Sequence, residues 1–414
     1  MVHASLSSPL TRGARPSPPI EVHQVLATLG YGDAIGHEVL GIQRVLRSAG
    51  YRSDIFVETA DPRVEDLTRD YRELSDCSAP ENILVHHFSI KSRASRVAFA
   101  LPDRMILVYH NITPPGYFVD VHDDLVELCY LGRRELSAYA PRVQLALGDS
   151  EFNRRELEAA GFTPTGVLPV VPDFSHLDVE PNRLMAGAFD DEHVNVLFVG
   201  RVIPNKKIED VIRFFGAYHR LYNPRSRLLI VGSYGGFEQY YAMLQEFIAR
   251  RGIRNVHFTG HVSNEELAAY YEVADVFLCA SEHEGFCVPL VEAFHEQIPV
   301  LAFAASAVPA TMDGAGILYD RKDEAHVAAL LDAVAGDEGL RAQIVEGQNA
   351  ALDRLEHKNF GRCLLTFVEQ VAAAPRPAAA AVSPDFWRQF EEAERLEELR
   401  LYRPGIYKAL PTKV

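Results

Sequence analysis

Short β-rich runs alternate with helical patterns along almost the whole chain, and this alternation limits the fold more than any other feature. The N-terminal half has six candidate strands: Val22 to Ala27, Ser53 to Val57, Ile83 to His87, Met105 to His110, Val143 to Leu147 and Gly166 to Val171. The segments between them carry apolar residues at helical spacing, as at Val39, Ile42 and Leu46. Strands that alternate with helices form a parallel sheet with helices on both faces. We therefore predict an α/β fold.

The alternation pauses once, over residues 172–193, and then resumes. The second half predicts five strands: Val196 to Val199, Leu228 to Val231, Val256 to Thr259, Val276 to Ala280 and Val300 to Ala304. Each half is then a doubly wound, Rossmann-like domain, and two such domains face each other across a cleft. Ligands bind at the carboxyl ends of the strands in such sheets, so the cleft is where we expect a site.

The predicted domain organisation follows from these patterns and from local composition. In chain order it comprises a disordered tail (1–19), an N-terminal Rossmann-like domain (20–175), a hinge (176–193), a C-terminal Rossmann-like domain (194–371), a Pro/Ala-rich linker (372–383), and a C-terminal helix and tail (384–414). The helix over Phe386 to Leu401 is expected to dock onto the body or onto a partner, including a second copy of the chain. A membrane role for it is weaker, because the segment is acidic.

Composition excludes several classes of protein. The formal net charge of -16 argues against nucleic-acid binding, which depends on cationic neutralisation of phosphates. The five cysteines include no C-x-x-C pair and read as reduced thiols. No apolar run reaches the roughly 18 residues of a membrane span, and the first residues lack the apolar segment of a signal peptide. The expected location is the cytoplasm.

The most informative segment follows the strand Val276 to Ala280 and enters a helix: it reads Ser-Glu-His-Glu-Gly-Phe-Cys-Val-Pro-Leu-Val-Glu over residues 281–292. A strand-to-helix junction presents free backbone N–H groups and the positive end of a helix dipole to an anion. Gly285 allows close approach of a ligand, and the carboxylates of Glu284 and Glu292 can accept paired sugar hydroxyls. Alternatively, the two acids only favour the helix dipole.

A second motif ends the strand Val196 to Val199. Gly200 is followed by Arg201 and, five residues later, Lys206, on a turn before a helix. A guanidinium fork and an ammonium group can clamp a diphosphate and neutralise the charge that develops when it leaves. Taken alone, two cations on a loop are usually solvated surface charges.

Together these motifs resemble the retaining nucleotide-sugar glycosyltransferases of the GT-B fold, in particular glycosyltransferase family 4. The resemblance rests on Gly-Arg-x4-Lys, on Glu-Gly-Phe-x-x-Pro-x-x-Glu, and on the connecting turn over residues 259–263. It implies that the N-terminal domain binds the acceptor and the C-terminal domain the donor. By this resemblance the donor diphosphate is held by Arg201 and Lys206, with Gly200 also contacting the donor. Glu284 binds the sugar hydroxyls and Glu292 the ribose. Gly285 and the backbone amides of Phe286, Cys287 and Val288 contact sugar and phosphate, and Gly260, His261 and Val262 lie at the base.

The N-terminal domain contributes two further candidates. Gly32 and Asp33 lie in a glycine-rich loop that opens the first helix, which suits approach to phosphate or acceptor, although such a loop is also a good turn. His110 ends a strand on the cleft side. In similar glycosyltransferases a histidine here contacts the donor sugar near the reacting carbon, and the alternative is a structural histidine satisfied by backbone groups.

The resemblance implies transfer of a hexose-type sugar from a UDP- or GDP-sugar to a carbohydrate or lipid-linked hydroxyl, with retention, in cell-surface polysaccharide or glycolipid synthesis. The inner face of the membrane is then a second expected location. No Asp-x-Asp site is present in the cleft loops, so we expect no metal and no cofactor. Two alternatives stay open: a binding or scaffold protein without transfer activity, and a sugar-nucleotide epimerase on the same fold. The loop over 305–311 departs from the family by lacking the usual Gly pair and acidic residue.

Overall fold

The computed structural model describes residues 20–30, 32, 34–170, 174–375, 395–396 and 399–410. The predicted tail over 1–19, Asp33, and the residues 376–394 that include most of the predicted linker and C-terminal helix lie outside this range. The strands of the first sheet are β1 (Val22–Leu29), β2 (Ile55–Ala60), β3 (Thr68–Asp70), β4 (Ile83–Phe88), β5 (Arg104–Tyr109), β6 (Leu145–Gly148) and β7 (Thr165–Val167). Its helices are α1 (Ala34–Ser48), α2 (Leu74–Cys77), α3 (Arg93–Ala100), α4 (Asp123–Tyr139) and α5 (Glu151–Ala159).

The second sheet contains β8 (Val194–Val199), β9 (Ser226–Val231), β10 (Val256–Gly260), β11 (Val276–Cys279), β12 (Val300–Phe303) and β13 (Ile317–Tyr319). The remaining helices are α6 (Arg183–Phe189), α7 (Ile208–Leu221), α8 (Glu238–Arg251), α9 (Asn264–Glu272), α10 (Val288–His295), α11 (Val308–Met312), α12 (Glu324–Gly336), α13 (Glu338–His357) and α14 (Phe360–Ala373). A short helix over Pro404–Lys408 follows near the end of the chain.

Both sheets have the same internal order. The first runs β3-β2-β1-β4-β5-β6-β7 and the second β10-β9-β8-β11-β12-β13, with every pairing parallel. From β1 the successive strands are added on one side, and β4 then starts the other side. The same change of side occurs between β8 and β11. These are the switch points at which doubly wound sheets bind ligands. The predicted α/β fold with two Rossmann-like domains is confirmed.

Local sequence explains why these elements form. All six residues of β5 are buried, as expected for a central strand covered on both faces. In α7 the apolar residues at helical spacing, among them Ile208, Val211 and Phe215, are buried against the sheet. Helix α9 begins with a capping box in which Ser263 and Glu266 satisfy each other's backbone amides.

The structure departs from the sequence prediction in three places. The short strands β3 and β13 were not predicted, because three residues give too little periodicity to detect. The stretch 176–193, predicted as a hinge without regular structure, contains α6, which packs on α9. The C-terminal domain was predicted to extend to residue 371, but α14 returns to the first sheet: Leu364, Val368 and Val371 are buried with apolar residues of β1, β4 and β5.

The described part of the C-terminal segment lies against α4. Leu396 packs with Tyr130 and Leu131, and Tyr407 is also buried. The segment therefore docks onto the body of the same chain, one of the two outcomes expected for it. None of the helices in the described ranges has the length and apolar character that a membrane crossing requires.

Candidate active site

Two loops meet at the switch point of the second sheet, one after β8 and one after β11. The side-chain amide of Asn205 donates to the carbonyl of His283 at 3.0 Å, and the backbone amide of Glu282 donates to the carbonyl of Asn205 at 2.9 Å. Lys206 Nζ lies 2.6 Å from Glu284 Oε1. The two motifs singled out in the sequence therefore form one site, because their strands are neighbours in the sheet.

The Lys206–Glu284 pair is largely buried. The side chains of Lys206 and Glu284 are 17% and 7% exposed. Burial alone would favour the neutral amine, but the adjacent carboxylate of Glu284 outweighs it and raises the pKa of Lys206 above its usual value. The ammonium group is therefore positively charged at neutral pH and fixed beside the Gly285 turn.

Arg201 extends toward the other domain. Its guanidinium carbon lies 5.5 Å from the centre of the Phe237 ring. That ring in turn lies 6.0 Å from Phe118 and 5.3 Å from His122 of the N-terminal domain. The side chain of Arg201 is thus at the border between the domains, on the same strand-end loop as Lys206.

Three glycines lie at the ends of the adjacent strands β8, β9 and β10: Gly200, Gly232 and Gly260. Gly232 adopts φ 146° and donates its amide to the carbonyl of Gly260 at 3.1 Å. A Cβ atom at Gly232 would lie 2.0 Å from the carbonyl oxygen of Gly200, so no other residue fits. Gly200 and Gly260 were predicted to contact the donor, whereas Gly232 was not singled out in the sequence. Beside this row, His261 is exposed and Val262 packs partly on the core.

The Glu284 loop is also the place where the domains touch. A Cβ atom at Gly285 would lie 3.0 Å from Asn111 Cβ, 3.1 Å from the carbonyl oxygen of His110 and 3.3 Å from Asn153 Nδ2. His283 Nε2 donates to Asn111 Oδ1 in the same region. A side chain at 285 would require these neighbours to shift by a few tenths of an ångström.

The turn into α10 is strained and supported by the loop over 305–311. Cys287 adopts φ 79°, a left-handed conformation that is costly for a residue with a side chain, and the amide groups of the first turn follow from Val288. Ser306 Oγ accepts from the amide of Glu284 at 2.8 Å, and Thr311 Oγ1 donates to the carbonyl of Phe286. Hydroxyl groups of Ser306 and Thr311, neither of which was predicted as a site residue, therefore brace the turn.

Glu292 lies one turn into α10 and is buried. Its Oε2 accepts from the Tyr271 hydroxyl at 2.8 Å, and its Oε1 lies 2.9 Å from His176 Nε2. The His176 ring is 5.8 Å from the His37 ring of α1, so this carboxylate also lies near the domain border. The structure places Glu292 on the same helix that the Gly285 turn opens, as predicted from the spacing.

His110 differs from the expectation for a residue that contacts the donor sugar. Its side chain is 1% exposed and lies within the N-terminal domain. Its Nε2 is 2.8 Å from His87 Nδ1, and its Nδ1 is 3.1 Å from Asp149 Oδ2 and 3.7 Å from Glu38 Oε2. The carbonyl oxygen of His110 lies at the Gly285 turn. Burial, followed by the charge of Asp149, raises the pKa of Glu38 to about 8.

The remaining candidate of the N-terminal domain, Gly32, is exposed with φ 73° and has open space around it. Its neighbour Asp33 lies outside the described residues. The loop therefore has the conformation that glycine favours, and nothing in its contacts assigns it to a ligand.

Two Rossmann-like domains whose strand-end loops meet at a cationic, glycine-lined cleft define a protein of the GT-B class. Comparison with solved structures agrees: a sucrose-phosphate synthase from Thermosynechococcus elongatus superposes with a TM-score of 0.65 at 16% identity, covering 86% of this chain and 100% of that one. The Anabaena protein HepE, solved with UDP and glucose, gives a TM-score of 0.63 at 16% identity, covering 85% and 100%. At this identity the likeness shows the fold.

Sequence comparison gives a family match for the C-terminal domain. Residues 185–350 match the family model described as Glycosyl transferases group 1, which agrees with the resemblance of the motifs to glycosyltransferases of the GT-B fold. The α-monoglucosyldiacylglycerol synthase of Acholeplasma laidlawii is 30% identical over 33% of this chain and 34% of its own length. The O-antigen chain mannosyltransferase B of Escherichia coli is 30% identical over 34% and 37%. The chain thus spans about a third of the length of these curated relatives.

Proposed function

We propose that the protein is a retaining glycosyltransferase that moves a hexose-type sugar from a nucleotide-diphosphate sugar to a hydroxyl acceptor. The observation that carries the proposal is the contact between Lys206 and Glu284, which joins a diphosphate-binding cation to a sugar-binding carboxylate at a switch point. The match of residues 185–350 to the family model Glycosyl transferases group 1 supports the same reaction.

In the proposed mechanism, Arg201 and Lys206 bind the donor diphosphate, and the first amides of α10 add hydrogen bonds at the positive end of the helix. Glu284 accepts hydrogen bonds from sugar hydroxyls and Glu292 from the ribose. The bond from the anomeric carbon to the phosphate oxygen breaks and a bond to the acceptor oxygen forms on the same face. The acceptor proton passes to the leaving phosphate oxygen, so no side-chain base is required.

The cations stabilise the charge that grows on the leaving diphosphate as its bond to the sugar breaks. Because their charge replaces that of a metal, we propose that transfer needs no added divalent ion. Donor turnover in buffer with a chelator present from the start of the assay should equal turnover with magnesium. A large stimulation by magnesium would contradict this part of the proposal.

The acceptor is proposed to be a carbohydrate or a lipid-linked sugar of the cell surface, with the enzyme in the cytoplasm or at the inner face of the membrane. Relatives named for glycolipid and O-antigen synthesis support this class. For the donor, the neighbouring structure solved with UDP and glucose favours a UDP-sugar, with GDP-sugars as the second choice.

The decisive experiment combines binding and turnover. Purified protein is screened by thermal shift against UDP, GDP and ADP and their sugars, since a ligand at about 100 times its dissociation constant adds about 2.7 kcal/mol of stability. The best donor is then assayed for hydrolysis and transfer with wild type, Lys206→Met and the matched control Lys207→Met. Loss of turnover in Lys206→Met alone supports the enzyme. Tight donor binding without turnover on any lipid or sugar acceptor favours a scaffold, and interconversion of free donor favours an epimerase.

A further inference from the structure

A buried cluster in the N-terminal domain has the composition and spacing of a metal site. Glu38 comes from α1, His110 directly follows β5, and Asp149 directly follows β6. One ligand atom from each residue lies within 4.8 Å of the other two, and all three residues are buried. We propose that Glu38, His110 and Asp149 bind one divalent transition-metal cation through His110 Nδ1 and one oxygen of each carboxylate.

The hydrogen bonds around His110 indicate which nitrogen carries its proton. Gln24 Nε2 donates to the carbonyl of Val39 at 3.1 Å, so Gln24 Oε1 is an acceptor and His87 Nε2, 3.0 Å away, must donate to it. A buried, neutral His87 then accepts at Nδ1 from His110 Nε2, at 2.8 Å. A neutral His110 therefore presents the lone pair of Nδ1 to the two carboxylates.

With His110 neutral, this arrangement is unfavourable unless a cation lies beside Nδ1. The lone pair faces the Asp149 carboxylate oxygen at 3.1 Å, which is repulsive, and the two acids, 9% and 2% exposed at their side chains, have little solvent to screen them. A divalent ion displaces the proton of Glu38, balances both carboxylate charges and uses the lone pair as a ligand. The relay from His110 through His87 to Gln24 is the kind of outer contact that fixes the tautomer of a metal-binding histidine.

A second and independent observation is that the cluster contains oxygen atoms without partners. Glu38 Oε1 and Asp149 Oδ1 are inaccessible to solvent, and neither has a hydrogen-bond partner within the part of the chain that the structure describes. Buried carboxylate oxygens are normally satisfied, because an unpaired one loses its hydration without gaining a partner. Coordination of a cation, with either acid binding through both oxygens, would satisfy them.

The donor set selects the class of ion. Ligand-to-metal distances of about 2.0–2.2 Å separate neighbouring ligand atoms by about 3–4 Å, which matches the separations at His110 Nδ1. Mg²⁺ and Ca²⁺ prefer oxygen ligands alone, whereas one imidazole with two carboxylates suits Zn²⁺, Mn²⁺ or Fe²⁺. The ion would join α1 to the ends of β5 and β6 beneath the Gly285 contact. It would not touch the donor, so it is compatible with a diphosphate clamp that uses no metal.

The test uses the full chain, isolated without chelators and analysed by mass spectrometry for its metal content. The expected result is about one transition-metal ion per chain, which Glu38→Gln and Asp149→Asn lose. Glu135→Gln is the matched control, because Glu135 is an equally buried acid of the same domain, paired with Arg96 outside the cluster. X-ray absorption at the metal edge should report one nitrogen and two or more oxygen ligands.

A second measurement does not depend on the variants folding. Wild-type protein stripped by prolonged dialysis against a chelator should gain thermal stability on addition of Zn²⁺ or Mn²⁺, and Glu38→Gln should not, whereas Mg²⁺ should shift neither protein. Either of two results overturns the proposal. The first is isolated protein that has no metal above the buffer blank and is not stabilised by Zn²⁺ or Mn²⁺. The second is a set of NMR signals showing His110 protonated at both nitrogens. Neither readout depends on glycosyl transfer, so failure of the metal site and failure of the proposed function are distinguishable.

Discussion

Replacing Lys206 by methionine removes the ammonium group but retains most of the apolar length of the side chain. At the observed 2.6 Å and an effective dielectric constant of about 20, the gross attraction between Lys206 and Glu284 is about 6 kcal/mol. Much of this is offset by desolvation, and removing one partner of a buried pair typically costs about 3–5 kcal/mol. Because Lys206 is still 17% exposed, we expect the lower end, about 3 kcal/mol.

The double-mutant cycle separates the pair from general packing. Glu284→Gln leaves an ammonium group that can reach solvent, so we expect a loss of about 1–2 kcal/mol. The double variant Lys206→Met/Glu284→Gln has no unpaired charge and should be more stable than Lys206→Met alone. Lys207→Met is the control: Lys207 is 27% exposed beside Glu209 and should cost less than about 1 kcal/mol.

Urea unfolding monitored by circular dichroism measures these differences, and calorimetry with the nucleoside diphosphate measures binding. Loss of a charge-assisted contact of about 1.5–3 kcal/mol predicts binding about 10- to 100-fold weaker in Lys206→Met. The reasoning is refuted if Lys206→Met is no less stable than Lys207→Met, or if the two single changes are additive in the double variant. Unchanged nucleotide affinity in Lys206→Met would refute the clamp separately.

Three further predictions concern other parts of the molecule. Gly232→Ala should lower the stability measured by thermal melting by more than about 3 kcal/mol, since overpacking adds to backbone strain. The control Gly187→Ala should be neutral or stabilising in the same measurement, because a Cβ atom there meets nothing within 4 Å. Burial lowers the pKa of His86 from 6.5 to about 3, so protonation favours the unfolded chain. The free energy of unfolding should therefore fall as the pH decreases through this range, by about 2 kcal/mol at pH 5. Equal acid sensitivity in His86→Gln would contradict this cause. Glu292→Gln should weaken nucleotide binding about tenfold in calorimetry while Glu296→Gln leaves it unchanged, and equal effects would exclude a specific role.

The sequence predicted the cationic and acidic loops well because each motif follows a strand of its own. The carboxyl ends of neighbouring parallel strands lie at one edge of a sheet, so placing Lys206 after one strand and Glu284 after another was sufficient to bring them together. The same rule placed His110 at the edge of the first sheet. It could not tell whether the side chain would face the cleft or the interior.

The direction of His110 depends on residues far away in the chain. Glu38 and Asp149, which contact its ring, belong to other elements, and no local pattern connects them. Gly232 was missed for a related reason: the need for glycine arises from the carbonyl of Gly200 on the adjacent strand, not from the turn in which Gly232 lies. Single-sequence periodicity carries no information about such contacts between elements.

The return of α14 to the first sheet means that the N-terminal half of the molecule is built from two separate stretches of chain, whereas the C-terminal half is one continuous stretch. Arg104 donates to the carbonyl of Ala372, and the Phe367 ring lies against Gly166. The first sheet is therefore fully covered only when α14 is in place. During synthesis the N-terminal half must therefore wait, with one apolar face uncovered, until the other half has left the ribosome. The chain also crosses between the two halves twice, near residues 174 and 359. Any rotation of one domain relative to the other must therefore change the backbone conformation at both crossings.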